Sequence, residues 1–292
     1  MGILLLKSLL YGILEGVTEW LPVSSTGHLI LLESFLTLHV GGCAHPQFEG
    51  EFRELFLVAI QLGAVLAVVT RYDQRLFAFG QDRTARKRTI GLWARIIVGC
   101  IPAGFAGIVL DQVLERATGK DMNGWLYNGF VVACMLILYG ILFILAERVN
   151  RGKQPVITNP EQLSLKKAFG VGVFQMLSLI PGTSRSGSTI LGGMLLGLSR
   201  AAAAEFSFFM AVPIMLGACG IKTLGFVSFM LKNDLRMPYR AAIVLIVAMA
   251  VAYVTSRLSI RFLMDFSARH GFAPFGVYRI LLGIAVLLYH LF

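Results

Sequence analysis

Glu15-Gly16-Val17-Thr18-Glu19-Trp20-Leu21-Pro22-Val23-Ser24-Ser25-Thr26-Gly27-His28 interrupts an apolar region running from residue 1 to 38. The break falls at Leu21–Gly27 and leaves two limbs, each too short to cross a hydrocarbon core of ~30 Å comfortably. Backbone of this kind, rich in proline, glycine and hydroxyls, survives at membrane depth only when it is buried in protein or lines a wet cavity. Residues 168–199 repeat the pattern, broken at Ile180-Pro181-Gly182-Thr183-Ser184-Arg185-Ser186-Gly187. Both regions read as re-entrant helical hairpins.

Working outward, six stretches are long and apolar enough to span: 53–70, 92–111, 124–147, 203–221, 240–256 and 274–292. The composition agrees. Of 292 residues, 57% are hydrophobic and only 14% charged, and mean hydropathy is +0.75; a soluble core of this length has no need of so little charge. The expected fold class is all-α, a polytopic membrane helix bundle of six spanning helices plus two re-entrant hairpins, forming a single integral membrane domain over 1–292. The net charge of +10 reads as Lys and Arg kept at the cytoplasmic face. Nucleic acid is excluded as a partner, since there is no basic tail or basic patch interleaved with aromatics. Cys43, Cys100, Cys134 and Cys219 lack metal-ligand spacing, and the last three lie in apolar stretches as packing residues. No cleavable signal peptide is expected, because the first apolar stretch carries Glu15 and Glu19 and has no small-residue cleavage site.

Positive charge sets the orientation. The 71–91 loop carries Arg71, Arg75, Arg83, Arg86, Lys87 and Arg88; the 148–167 loop carries Arg148, Arg151, Lys153, Lys166 and Lys167; and 257–272 adds Arg257, Arg261 and Arg269. The alternate loops are poorer: 39–52 has no Lys or Arg, 112–123 has Arg116 and Lys120, and 222–239 has Lys222, Lys232 and Arg236. The rich loops therefore belong in the cytoplasm and both termini outside. The first hairpin then enters from the outer face and the second from the inner one. Gly12-Ile13-Leu14-Glu15 echoes Gly172-Val173-Phe174-Gln175, and Leu62-Gly63-Ala64 echoes Leu216-Gly217-Ala218. The halves, about 1–150 and 160–292, read as an inverted repeat whose active elements meet near the midplane.

Glu15 and Glu19 are four apart, so on a helix both carboxylates share a face. Inside a membrane each costs several kcal/mol by insertion scales of roughly 2.5–3.5 kcal/mol, and the pair repels itself. A proton, an Arg or a cation must neutralise them, and a hard divalent ion, Mg²⁺ or Ca²⁺, is the simplest answer; solvation of Glu19 near an interface is the plainer alternative. Ser24, Ser25 and Thr26 supply hydroxyls, Gly27 permits the turn, and the N–H groups of the following helix can hold phosphate oxygens. Of the five histidines only His28 is embedded in a polar membrane motif. In the second turn Thr183, Ser184 and Ser186 flank Arg185, whose planar fork suits phosphate; a buried ion pair with Glu15 or Glu19 is the competing reading. Gln61 is placed to orient a carboxylate or phosphate, and Glu205 reads as a residue near the inner end of its span.

At these residues the sequence resembles the bacitracin-resistance type of undecaprenyl-diphosphate phosphatase. Glu15–His28, Ile60-Gln61-Leu62-Gly63, Pro181–Gly187, Glu205-Phe206-Ser207-Phe208 and Ala211-Val212-Pro213 carry the likeness, which spans nearly the whole chain; the 39–50 loop and the cytoplasmic loops do not share it. The resemblance implies hydrolysis of undecaprenyl diphosphate to the monophosphate carrier used in cell-wall synthesis. It also implies bacitracin resistance from extra copies, and a site opening to the periplasmic side of the bacterial inner membrane. A diphosphate brings about three negative charges and the glutamates about two more, so Arg185 alone cannot balance them and tight binding calls for a divalent metal, with or without His28 as imidazolium. On this reading Ser25 attacks phosphorus and Glu15 and Glu19 hold the metal, with Glu19 close to the proton transfers. His28 acts as general base or acid, and Arg185 stabilises equatorial charge. His28 as nucleophile stays open, as does a homodimer. Ser24, Thr26, Gly27, Gln61, Thr183, Ser184 and Ser186 are the candidate substrate-binding residues.

Type-2 phosphatidate phosphatases also pair a Ser-Gly-His turn with a Ser-Arg segment, but they need a further downstream histidine with its aspartate and a Lys…Arg-Pro motif; here no histidine follows Arg185 before His270, and no Arg-Pro occurs. A transporter or flippase would share the inverted repeat and broken helices. An enzyme is favoured by the clustering of nucleophile, acid–base and metal-ligand types between Glu15 and His28.

Overall fold

The computed structural model describes residues 1–43, 45–80, 82–118 and 128–291. Its longer helices are α1 (Gly2–Thr18), α2 (Ser25–Phe35), α3 (Phe48–Arg71), α4 (Arg83–Thr118), α5 (Gly129–Asn150), α6 (Leu165–Met176), α7 (Arg185–Leu195), α8 (Arg200–Lys232), α9 (Tyr239–His270) and α10 (Ala273–Leu291). Among the described residues there is no β-strand, only an isolated bridge between Ile157 and Leu198.

Both expected breaks occur, and each has the same local cause. The helix α1 runs out at Glu19, whose N–H still reaches Glu15 O at 2.9 Å, ahead of Pro22, which cannot donate and restricts Leu21. The chain restarts at Ser24, whose hydroxyl caps α2 by accepting from Gly27 N–H at 3.2 Å. At the second break Ser184 caps α7 by accepting from Gly187 N–H at 3.1 Å. Ser24 and Ser184 both have φ +74°, a left-handed conformation costly for a residue with a side chain and found where surrounding structure over-determines it.

Among the described residues five helices are long and apolar enough to cross a membrane: Phe48–Arg71, Arg83–Leu110, Gly129–Asn150, Arg200–Lys232 and Tyr239–His270. The sixth expected span, 274–292, is the shorter apolar helix α10. Several segments expected as loops are helical. Arg83, Arg86, Lys87 and Arg88 ride on the first turns of α4; α9 carries Arg257, Arg261 and Arg269 before stopping at Gly271, φ +71°; and α8 continues to Lys232. Hydropathy marks the bilayer-immersed part of a helix, whereas backbone hydrogen bonding carries the helix on into water. In the 112–123 segment α4 persists through Thr118, while Lys120 and residues 124–127 of the third expected span lie outside the described residues.

Small residues let the helices close on one another. A Cβ on Gly16 of α1 would run into the Thr255 hydroxyl and the Ala252 carbonyl of α9, and one on Gly172 of α6 would strike the Gly99 carbonyl of α4. The helix α3 packs on both α9 and α8, and α5 packs along α10. Trp20, Phe206, Phe208 and Phe209 fill the core where the two turns meet α8. The outer faces of α8 and α9 expose Leu216, Ile221, Leu224, Ile246, Val254 and Leu258, an apolar exterior that suits lipid.

Candidate active site

Glu19 stands just beyond α1 and is 5% exposed. Its Oε2 accepts from the Ser25 hydroxyl at 2.7 Å, because Ser25 is the first residue of α2 and the strained cap at Ser24 turns the chain back across the end of α1. Its Oε1 accepts from Arg185 Nη2 at 3.0 Å and from Nε at 3.3 Å. Arg185 is likewise the first residue of α7, one place after the equivalent cap. The guanidinium is held further by Nη1 donating to the Ser207 carbonyl of α8 at 2.8 Å, and it lies over the Trp20 ring at 5.6 Å. Residues 166 positions apart thus form one buried ion pair whose carboxylate also accepts from the Ser25 hydroxyl.

Glu19, Ser25, Thr26, Gln61, Ser184 and Arg185 line a common cavity of about 200 Å³, walled by Pro181, Gly182 and the α8 residues Ile214, Met215 and Ala218. It holds hydroxyl, carboxylate, amide and guanidinium groups against an apolar wall, which suits a phosphorylated head group on an apolar tail. Glu15, one turn back from Glu19, is fully buried, and among the described residues neither of its carboxylate oxygens has a hydrogen-bond partner. Two acid side chains one turn apart, one of them unpartnered, fit a hard divalent cation that completes its shell with phosphate oxygens. Among the described residues no three His, Cys, Asp or Glu side chains gather into a metal-binding group.

Other sequence-expected residues brace the turns rather than line the cavity. Ser24 and Gly27 are used by the cap. The Thr183 hydroxyl donates to the Ile180 and Leu177 carbonyls at 2.7 and 3.0 Å. The Ser186 hydroxyl lies 3.0 Å from the Glu19 carbonyl and 3.3 Å from that of Leu21, tying the second turn to the first. His28 is also outside the cavity lining. Its Nδ1 lies 2.7 Å from the Ser24 carbonyl, which can only accept, so Nδ1 carries a proton, and Nε2 lies 2.7 Å from the Tyr278 hydroxyl. Its ring stacks on Tyr278 with centroids 5.7 Å apart. Glu205 binds Arg75 at 2.7 Å, beside Glu161, in a separate ion cluster.

Sequence reasoning missed Tyr278, Ser178, Ser207 and Arg279. Ser178 lines the cavity. Arg279 is 0% exposed and donates to main-chain carbonyls of both turns. A signal existed for Arg279, which is a lone cation inside the last apolar stretch and, as with Arg185, costly unless partnered.

The family model described as "Bacitracin resistance protein BacA" matches residues 8–285 of the chain. The chain is 46% identical over 286 residues to the undecaprenyl-diphosphatase of Desulfitobacterium hafniense (strain DSM 10664 / DCB-2), covering 97% of this chain and 95% of that protein. It is 46% identical over 291 residues to the undecaprenyl-diphosphatase of Streptococcus gordonii (strain Challis), covering 99% and 96%. It is 43% identical over 289 residues to that of Acetivibrio thermocellus (strain ATCC 27405), covering 98% of each.

Proposed function

The chain belongs to the bacitracin resistance protein BacA family, and from that premise we propose that it hydrolyses undecaprenyl diphosphate to undecaprenyl phosphate and inorganic phosphate. The observation that carries this reading is the meeting of Ser25, Glu19 and Arg185 in one cavity. A nucleophile with its proton already directed at a carboxylate, next to a guanidinium, is what phosphoryl transfer needs.

Ser25 Oγ attacks the terminal phosphorus in line and its proton passes to Glu19 Oε2. The bond from phosphorus to the bridging oxygen breaks, Glu19 returns the proton to that oxygen, and undecaprenyl phosphate leaves with phosphate on Ser25. Water then attacks the phosphoserine. Glu19 takes a proton from the water and delivers it to the departing Ser25 oxygen, releasing inorganic phosphate and restoring both side chains. Arg185 offers its fork to the equatorial oxygens, while Thr26, Ser184 and Gln61 bind the remaining ones. His28 acts from outside the cavity, where its Nδ1–H holds the carbonyl of Ser24, the residue before the nucleophile. A divalent cation, Mg²⁺ or Ca²⁺, held by Glu15 and Glu19 would supply charge neutralisation for the phosphates.

In the membrane we read α3, α4, α5, α8, α9 and α10 as spanning, with α1–α2 and α6–α7 as hairpins entering from opposite faces. Their matched caps support an inverted repeat, as does the packing of α1 on α9 and of α6 on α4. The site then opens to the periplasmic face of the inner membrane, where the product is the lipid carrier recycled for cell-wall polymers, and raised dosage would confer bacitracin resistance.

Phosphate release from undecaprenyl diphosphate by the purified chain in detergent, where no transport is possible, tests the reading. Release lost in Ser25→Ala supports it; release intact in both Ser25→Ala and Glu19→Ala overturns it in favour of a carrier.

A further inference from the structure

Arg279 projects from α10 into the seam between the two turns, and it is fully buried. Its Nη1 donates to the Pro22 carbonyl at 3.0 Å, and its Nη2 donates to the Gly182 and Thr183 carbonyls at 2.7 and 2.9 Å. Among the described residues no carboxylate is paired with it; besides these carbonyls its guanidinium lies over the Tyr139 ring at 5.4 Å. A buried cation held only by neutral main-chain oxygens, with its Nε unpartnered among the described residues, is expensive, and a packed apolar side chain would fill the same space more cheaply.

The choice of carbonyls explains what the charge does. Pro22 lies two residues before Ser24, and Gly182 two residues before Ser184. One guanidinium therefore straddles equivalent oxygens of the two turns, each just ahead of a serine held at φ +74°. A planar fork sets the separation and relative angle of its acceptors in a way an ammonium cannot. No cis peptide occurs in the described backbone, and in a trans peptide the N–H points opposite to the C=O. With the Thr183 carbonyl on Arg279, the Ser184 N–H is directed away from Arg279, and Ser184 itself lines the catalytic cavity.

We propose that Arg279 is a positioning residue for the phosphatase reaction: it locks the two strained turns in register so that Ser25, at the start of one helix, and Arg185, at the start of the other, meet on Glu19. This rests on the phosphatase reading above. It predicts a loss mainly in the chemical step rather than in binding, because Arg279 touches no substrate and the lipid-tail contacts are unchanged, while the in-line geometry of Ser25 and Arg185 loosens.

The test compares wild type, Arg279→Lys and Arg279→Met, each purified as the full chain in detergent, by steady-state phosphate release from undecaprenyl diphosphate and by thermal unfolding. The expected result is a kcat lower by about a hundredfold in Arg279→Met and about tenfold in Arg279→Lys, with KM within about threefold and the folded state retained. A folded Arg279→Met with wild-type kcat overturns the inference, as does a loss carried by KM alone. Loss of the folded state in both variants also overturns it, since the residue would then serve the fold. A wild-type protein that releases no phosphate overturns the underlying phosphatase reading and this inference with it, an outcome distinct from an active wild type with an unaffected variant.

Discussion

Ser25 and Glu19 share a hydrogen bond of 2.7 Å from the hydroxyl to Oε2, although a proline and a strained cap separate them in the chain. In the proposed mechanism this carboxylate receives the proton that the attacking oxygen must lose. Removing the nucleophile and removing the base should have different signatures. Ser25→Ala should abolish phosphate release, and Glu19→Gln should lower kcat by about 10²–10⁴-fold while KM moves little. Labelled phosphate trapped on acid-quenched protein should map to Ser25 and vanish in Ser25→Ala; label on His28 would refute the assignment.

His28 is separated from that proton by the geometry already described. If its service is to hold the Ser24 carbonyl, His28→Ala should lower kcat by about 10–100-fold yet keep the pH–rate profile in shape, because the base remains Glu19. Disappearance of the ascending limb in His28→Ala would return the base to the imidazole.

The Glu19–Arg185 pair is almost wholly inside the protein, with the side chains 5% and 11% exposed. Truncating one partner strands the other charge, so Arg185→Ala should cost about 3–5 kcal/mol of stability as well as activity. The double variant Arg185→Ala/Glu19→Ala should recover part of that stability while staying inactive. Unfolding of the variants in detergent measures this, and a single variant as stable as wild type would contradict it.

Glu15 is buried with both oxygens unpartnered among the described residues, which makes it the sharpest probe of metal dependence. Chelation should stop phosphate release, and Mg²⁺ or Ca²⁺ should restore it. Glu15→Gln should raise the metal concentration needed for half-activity by at least about tenfold. Full activity of the wild type in excess chelator would remove the cation from the reaction.

Close packing at Gly172 gives a structural control. A valine there would meet the Gly99 carbonyl and Pro102 of α4, so Gly172→Val should destabilise by about 1–3 kcal/mol or more through overpacking. Gly217, which has nothing near its missing Cβ, should accept alanine with no loss of melting temperature, and a similar loss at both glycines would show the packing account to be wrong.

Much of this was legible in the sequence, and for a physical reason. Charge and proline inside apolar runs are so costly in a membrane that their positions mark the broken helices and the candidate reactive groups directly. Glu15, Glu19, Ser25 and Arg185 stood out as candidates in this way, and the helical class was legible with them; that Ser24 and Ser184 cap the restarted helices came only from the structure. Hydropathy was blind to helix ends in water, so α4, α8 and α9 run further than expected.

What the tertiary structure alone decided is which polar groups turn toward the cavity and which hold the turns together. Ser25, Thr26 and Ser184 face inward, while Thr183, Ser186 and His28 are occupied elsewhere. Adjacent residues at a strained cap point in different directions, and no periodic pattern records which. The meeting of Arg185 with Glu19, and the bridging of both turns by Arg279, depend on helices far apart in the chain packing at small residues. Local sequence prescribes the chemistry of each turn, but only the closed bundle sets the distance between them.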